Sequence, residues 1–139
     1  MILLDTNVIS EPLRPRPSPV AMNFLLGGNP STQFISAISL QELYYGAWLQ
    51  AGKDKFEPLM NSIRQIQLKM FAGRTLDFDA SAAEVCGKLQ ASRKHTGSKF
   101  INADIQIAAI ALSRGFTLAT RNIADFQFDG LKLVNPWAE

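Results

Sequence analysis

The chain opens Met1-Ile2-Leu3-Leu4-Asp5-Thr6-Asn7-Val8-Ile9-Ser10-Glu11, a short apolar run that meets an acid, a hydroxyl and an amide before apolar residues resume. Ile2 to Leu4 predicts a buried strand, and Asn7 to Glu11 predicts a short helix that Pro12 stops. In an open α/β sheet the carboxyl ends of the strands face the ligand crevice, so Asp5 falls where chemistry is usually done. Taken alone it also reads as a cap on the following helix. What joins Asp5 decides between the two.

Outward from this junction, β-rich runs alternate with helical patterns, which argues for a parallel sheet flanked by helices. Pro12 to Pro19 predicts an extended connection, and Ser18-Pro19 an N-cap with proline at the first helical position. That helix carries Val20, Phe24 and Leu25 and ends at Gly27-Gly28; Gln33 to Ser36 is the second strand. From Ser39 an apolar stripe of Leu40, Leu43, Tyr44, Ala47 and Trp48 runs to Gly52. A second stripe, Phe56, Leu59, Ile63, Ile66 and Met70, then makes a helical hairpin that Gly73 ends. Arg74 to Phe78 is the third strand, and helices over Ser81 to Arg93 and Asn102 to Arg114 follow, the second closed by Gly115. Phe116 to Thr120 and Leu131 to Val134 complete five strands.

The 139 residues, 47% of them hydrophobic, fit one domain over 1–139. Fourteen basic against twelve acidic residues leave a net charge of +2, which excludes neither a nucleic acid nor a small molecule as ligand. The lone Cys86 rules out an internal disulfide framework and fits a reducing cytoplasm; it shares a helical face with Ala82, Val85 and Leu89, as a buried hydrophobe does. No run reaches the ~18 apolar residues of a membrane span. A soluble, cytoplasmic protein is expected.

Three acids stand at the ends of elements. Glu42 completes Ser39-x-x-Glu42, which reads as a capping box, and Ser81-x-x-Glu84 repeats the spacing, so spacing alone does not separate cap from ligand. Asp104 is harder to explain as a cap. Its helix, Ala103 to Leu112, is apolar almost all round and therefore buried. Burying an unpaired carboxylate costs several kcal/mol, whereas a helix N-terminus returns only about 0.3–1 kcal/mol. If Asp5, Glu42 and Asp104 converge, like charges push their pKa values up and call for a cation. Hard oxygen ligands select Mg²⁺ or Mn²⁺, and the matching chemistry is phosphodiester hydrolysis. One His and one Cys cannot build a zinc site.

Four stretches together resemble a known family: Leu4-Asp5-Thr6-Asn7-Val8-Ile9-Ser10-Glu11, Ser39-Leu40-Gln41-Glu42-Leu43-x-x-Gly46, Asn102-Ala103-Asp104-x-x-Ile107-Ala108-Ala109, and Ala119-Thr120-Arg121-Asn122 followed by Asp125-Phe126. In this order over the whole length they are similar to the PIN-domain ribonuclease toxins of the VapC type, and the opening looks most like the FitB branch. The resemblance implies a three-layer PIN fold, a five-stranded parallel sheet between helices with a protruding helical hairpin. It also implies a metal-dependent endoribonuclease using Mg²⁺ or Mn²⁺, a homodimer, and a cognate antitoxin of a type II toxin-antitoxin system. By motif, Asp5, Glu42 and Asp104 are the acidic metal centre, and Thr6 orients water or Asp5, or simply caps the turn. The chain departs from the pattern at Asn122, where family members often carry a fourth acid. The amide brings no charge; Asp125, three residues on, is either a substitute or a turn acid before Phe126.

The same departure keeps open a non-catalytic PIN-fold binding or regulatory protein. A phosphotransfer domain would need adjacent acids after strand one, or Asp-x-Asp, and Asp5-Thr6-Asn7 is neither. Arg93, Lys94 and Lys99, with His95 among them, form the densest basic run, and Arg121 adjoins the fourth motif. They suit RNA phosphates, or a solvated helix end. No recognition motif with exposed aromatics reveals which RNA. Tyr44 and Trp48 belong to the predicted core stripe and Tyr45 lies off it. In the resembling family the hairpin groove takes an amphipathic antitoxin segment.

Overall fold

A computed structural model of the chain describes residues 1–96 and 102–138 and sets Ile2–Leu4 (β1) at the centre of a five-stranded sheet. Gln33–Ser36 (β2) and Thr117–Ala119 (β4) flank it, with Thr75–Leu76 (β3) outside β2 and Leu133–Val134 (β5) outside β4. Every pairing is parallel, as expected. The chain builds outward from β1 in one direction to β3, then crosses back to lay β4 on its other side. The crevice at the carboxyl ends of β1 and β4 is therefore the switch point of the sheet.

Alternation along the strands divides the core into two. Leu4, Ile35 and Ala119 face Thr6–Ile9 (α1), Pro19–Gly27 (α2), and a hairpin of Ala37–Trp48 (α3) and Phe56–Gln65 (α4). Leu3 and Leu118 face Ala80–Thr96 (α5) and Asn102–Arg114 (α6), where Ala82, Cys86, Leu89 and Ile110 pack. Three layers result, and helices cover both faces of the sheet, which suits the apolar runs Ile2–Leu4 and Leu118-Ala119 at its centre. Among the described residues no helix is long and apolar enough to cross a membrane.

Several local expectations are corrected. Pro12 does not end a helix into an extended loop; it opens a 3-10 turn over Glu11–Leu13. Glu11 beside it is buried and accepts the Ser18 N–H at 2.7 Å, tying the loop to the start of α2. The capping boxes are absent. Ser36 caps α3 by accepting from the Ser39 N–H, and Asp79 caps α5 by accepting from the Ala82 N–H, so Ser39 and Ser81 lie inside their helices. Past Gln65 the helix widens into a π-turn over Ile66–Met70, in which the Phe71 N–H reaches Ile66 O at 2.9 Å. The wider turn rotates buried Phe71 into the core where Met70 was predicted, and leaves Met70 exposed. Trp48, also predicted in the core, is 59% exposed near the end of α3, and its ring lies 5.0 Å from that of Phe56 between centroids.

Gly115 ends α6 as predicted. Its φ of 67° lets its N–H reach Leu112 O while the Phe116 N–H reaches Ala111 O, a turn that aims the chain into β4. A side chain at this φ costs about 1–2 kcal/mol. Gly115→Ala is expected to lose that much in urea denaturation. Gly27→Ala, at an open helix end where an added Cβ meets nothing within 4 Å, should gain about 0.4–1 kcal/mol.

Candidate active site

Asp5 extends β1 by one residue, its N–H bonding Ala119 O at 2.9 Å. Its carboxylate is almost wholly buried and each oxygen has a partner. Oδ1 accepts from the Thr6 N–H at 2.8 Å, capping α1, and Oδ2 accepts from Thr120 Oγ1 at 2.7 Å. Asp5 is thus a helix cap and a cleft residue at once. Thr120 in turn accepts from the Asn122 N–H at 3.0 Å, which bends the chain after β4 over the crevice. Thr120 is the functional candidate that the sequence reading missed. No local signal marks it, because its place level with Asp5 follows from the pairing of β4 with β1.

Glu42 projects from the second turn of α3, exposed, and accepts from Thr6 Oγ1 at 2.6 Å. Thr6 therefore holds one carboxylate with its backbone and another with its side chain. Asp104 enters from the first turn of α6, half-buried, with Ile105 and Ile107–Ile110 fixing its helix in the core. Asp5, Thr6, Glu42, Asp104 and Asn122 line one cleft of about 310 Å³, with Asn7 and Ser10. The three acids expected to form the metal centre thus share one cleft with Thr6 and Asn122, drawn from four separate parts of the chain.

Two of the acids hold their protons more tightly than usual. Burial pushes Asp5 up, and this outweighs the hydrogen bonds from Thr120 and Thr6 that favour its ionised form; the charges of Glu42 and Asp125 add to the rise. Asp104 is pushed up to about 6, first by burial and then by the charges of Asp5, Glu42 and Asp125. Asp125 thus feeds the field of the site from an exposed turn without lining the cleft. The donors are oxygen throughout, they repel one another, and no three Asp, Glu, His or Cys side chains among the described residues close into a finished cage. Such an open oxygen set fits a divalent ion that keeps several of its own waters.

The predicted cations are placed only in part. Arg121 is exposed at the rim, stacked 5.2 Å from the Trp137 ring, with its N–H directed to Asn7 Oδ1 at 3.4 Å. Arg93 lies 4.3 Å over Phe128 and donates to Asp125 O at 3.4 Å, which sets it beside the site rather than in it. Lys99 and the side chains of Lys94 and His95 lie outside the described residues.

The parallel five-stranded sheet gathers its acids at the switch point, and the family model for the PIN domain matches residues 2–127. The chain belongs to the PIN-domain family. Toxin FitB of Neisseria gonorrhoeae is 38% identical to it over 137 residues, covering 99% of each chain. A VapC ribonuclease, Y4jK, of Sinorhizobium fredii is also 38% identical, over 99% of this chain and 98% of its own. The solved structure of FitAB bound to an IR36 DNA fragment superposes with a TM-score of 0.90 at 37% identity, over 100% of this chain and 97% of that one.

The Asp104 value sets a pH signature. Between its ordinary 3.8 and about 6 the folded chain binds more protons than the unfolded one, so stability falls as pH rises through that window. Asp104→Asn removes the effect. In urea denaturation with a chelator present, the variant should match wild type near pH 3.5, gain on it as pH rises, and be the more stable at pH 7. A difference that stays flat with pH would remove burial and repulsion as the cause.

Proposed function

We propose that the chain is a divalent-metal-dependent endoribonuclease, the toxin of a type II toxin-antitoxin system, working in the cytoplasm as one PIN domain over residues 1–139. The observation that carries this reading is the cleft itself, in which Asp5, Glu42 and Asp104 converge against their mutual repulsion. The ribonuclease and toxin among its full-length relatives support it. Asp5 and Asp104, with Glu42, would hold Mg²⁺ or Mn²⁺. Bound there, the ion supplies Lewis-acid stabilisation of the charge that develops on a phosphoryl group under attack by water.

The protein's own residues do the rest. Thr120 and the Thr6 N–H fix both oxygens of Asp5, so the carboxylate needs no reorganisation when substrate arrives. The Thr6 hydroxyl fixes Glu42 on the opposite wall. Asn122 offers an uncharged amide at the rim, able to hydrogen-bond a water or a phosphate oxygen. Arg121, at the rim, and Arg93 offer cations for the RNA backbone. The partners are a second copy of the chain and a cognate antitoxin. A groove of about 340 Å³ beside Glu42, with Leu13, Leu43, Ala47, Leu59 and Ile63 in its wall, suits the apolar face of an antitoxin helix.

RNA cleavage by antitoxin-free protein tests the reading. With Mg²⁺ or Mn²⁺ supplied, wild type should cut RNA from a complex pool, and Asp5→Asn and Asp104→Asn should lose about 100-fold or more while staying folded. Thr120→Val should lose about 10–100-fold, the range for a group that orients a ligand. A wild type that cuts nothing would favour the non-catalytic binding protein that Asn122 suggests.

A further inference from the structure

Behind Glu42 lies a row of hydroxyls that the proposed chemistry leaves unused. Ser36 and Ser39 are fully buried. Ser36 Oγ accepts from the Ser39 N–H at 3.0 Å and stands 3.3 Å from Ser39 Oγ. Ser39 Oγ is 2.8 Å from Thr6 Oγ1, which is 2.6 Å from Glu42 Oε1. A hydroxyl has one proton to give and a carboxylate has none. Thr6 therefore gives its proton to Glu42, and its contact with Ser39 is left for the Ser39 proton, while Ser36 directs its own at Ser39. The donors point one way, from the end of β2 to the wall of the cleft.

Capping explains Ser36 but not Ser39. A serine inside a helix ordinarily turns its hydroxyl back to a carbonyl of its own helix. Ser39 instead reaches across to Thr6 on α1, 33 positions earlier in the chain. Glu42 needs such a support, since it is exposed on a long side chain whose ordering costs entropy, and the hydrogen bond it accepts comes from Thr6. A donor behind Thr6 fixes that hydroxyl's direction and strengthens the bond it makes in front.

We propose that Ser39 is a positioning residue, acting through Thr6 to hold Glu42 over the acid cleft. The inference rests on the nuclease reading, which gives Glu42 its task. The test uses Mn²⁺ alone as probe, with affinity taken by calorimetry without RNA and the Thr6 χ1 rotamer read from three-bond couplings to its methyl group. Ser39→Ala should average the Thr6 rotamer and weaken Mn²⁺ binding about tenfold, and Ser39→Thr should restore both. In a Glu42→Gln background Ser39→Ala should cost nothing further. An unchanged rotamer and affinity in Ser39→Ala, or an equal loss in the Glu42→Gln background, would overturn the proposal. If Ser39→Ala does not fold, Ser39→Cys, close in size and a poor donor, replaces it with the same two outcomes. Wild type that binds Mn²⁺ yet cuts no RNA defeats the nuclease reading and leaves the positioning role to be decided by these measurements; wild type that binds no Mn²⁺ overturns both.

Discussion

The register of β1 against β4 is the constraint from which the cleft follows. Leu4 stands opposite Ala119, so the next residues up, Asp5 and Thr120, meet at the open end of the sheet. Apolar burial alone does not enforce this, since Leu3, Leu4, Leu118 and Ala119 are all fully buried and a slipped pairing would still bury apolar side chains on both faces. The polar pair does discriminate. Slip the strands by one residue and Asp5 loses the Thr120 hydroxyl while remaining out of water, a cost of about 1.5–3 kcal/mol for a hydrogen bond to a charged group. The contact that shapes the site also selects the pairing of the sheet.

Once Asp5 is placed, its neighbours are set by packing that has little to do with charge. The short α1 leaves Thr6 facing α3, and the apolar helix α6 delivers Asp104 because Ile105 and the run from Ile107 to Ala111 must be buried. The core is rigid enough to keep carboxylates together that would separate in a softer frame. Stability is surrendered at the cleft and recovered in two cores of close-packed aliphatic side chains, as is usual where a fold carries a binding site.

Much of this was legible in the sequence, for identifiable reasons. Periodicity and punctuation locate all five strands and the helices around them, and the cost of burying Asp104 in an apolar helix marks it as more than a cap. What failed were choices between equivalent local signals. Ser36-Ala37-Ile38-Ser39 offers two serines that could each cap the helix, and only the pairing of β2 decides that Ser36 does. The π-turn at Ile66–Met70 adds a residue to one turn, which no period of 3.6 anticipates, and the stripe that includes Trp48 does not reveal that burial stops before the last residue of α3. Thr120 was passed over because a threonine after a strand is unremarkable until its neighbour across the ladder is known to be Asp5. The relation was tertiary, and neither segment contained it.

The bond between Thr120 and Asp5 spans 115 positions, which bears on how the protein is made. Asp5 leaves the ribosome well before Thr120 does. Until β4 emerges and docks, β1 has a neighbour on one side only and the acid at its end has no hydroxyl to hold it. A nascent chain can assemble β1, β2 and the hairpin locally, but its cleft closes only when a long-range strand pairing is made, and such pairings are slow to form. The order of synthesis therefore withholds the complete acidic site until β4 has been made.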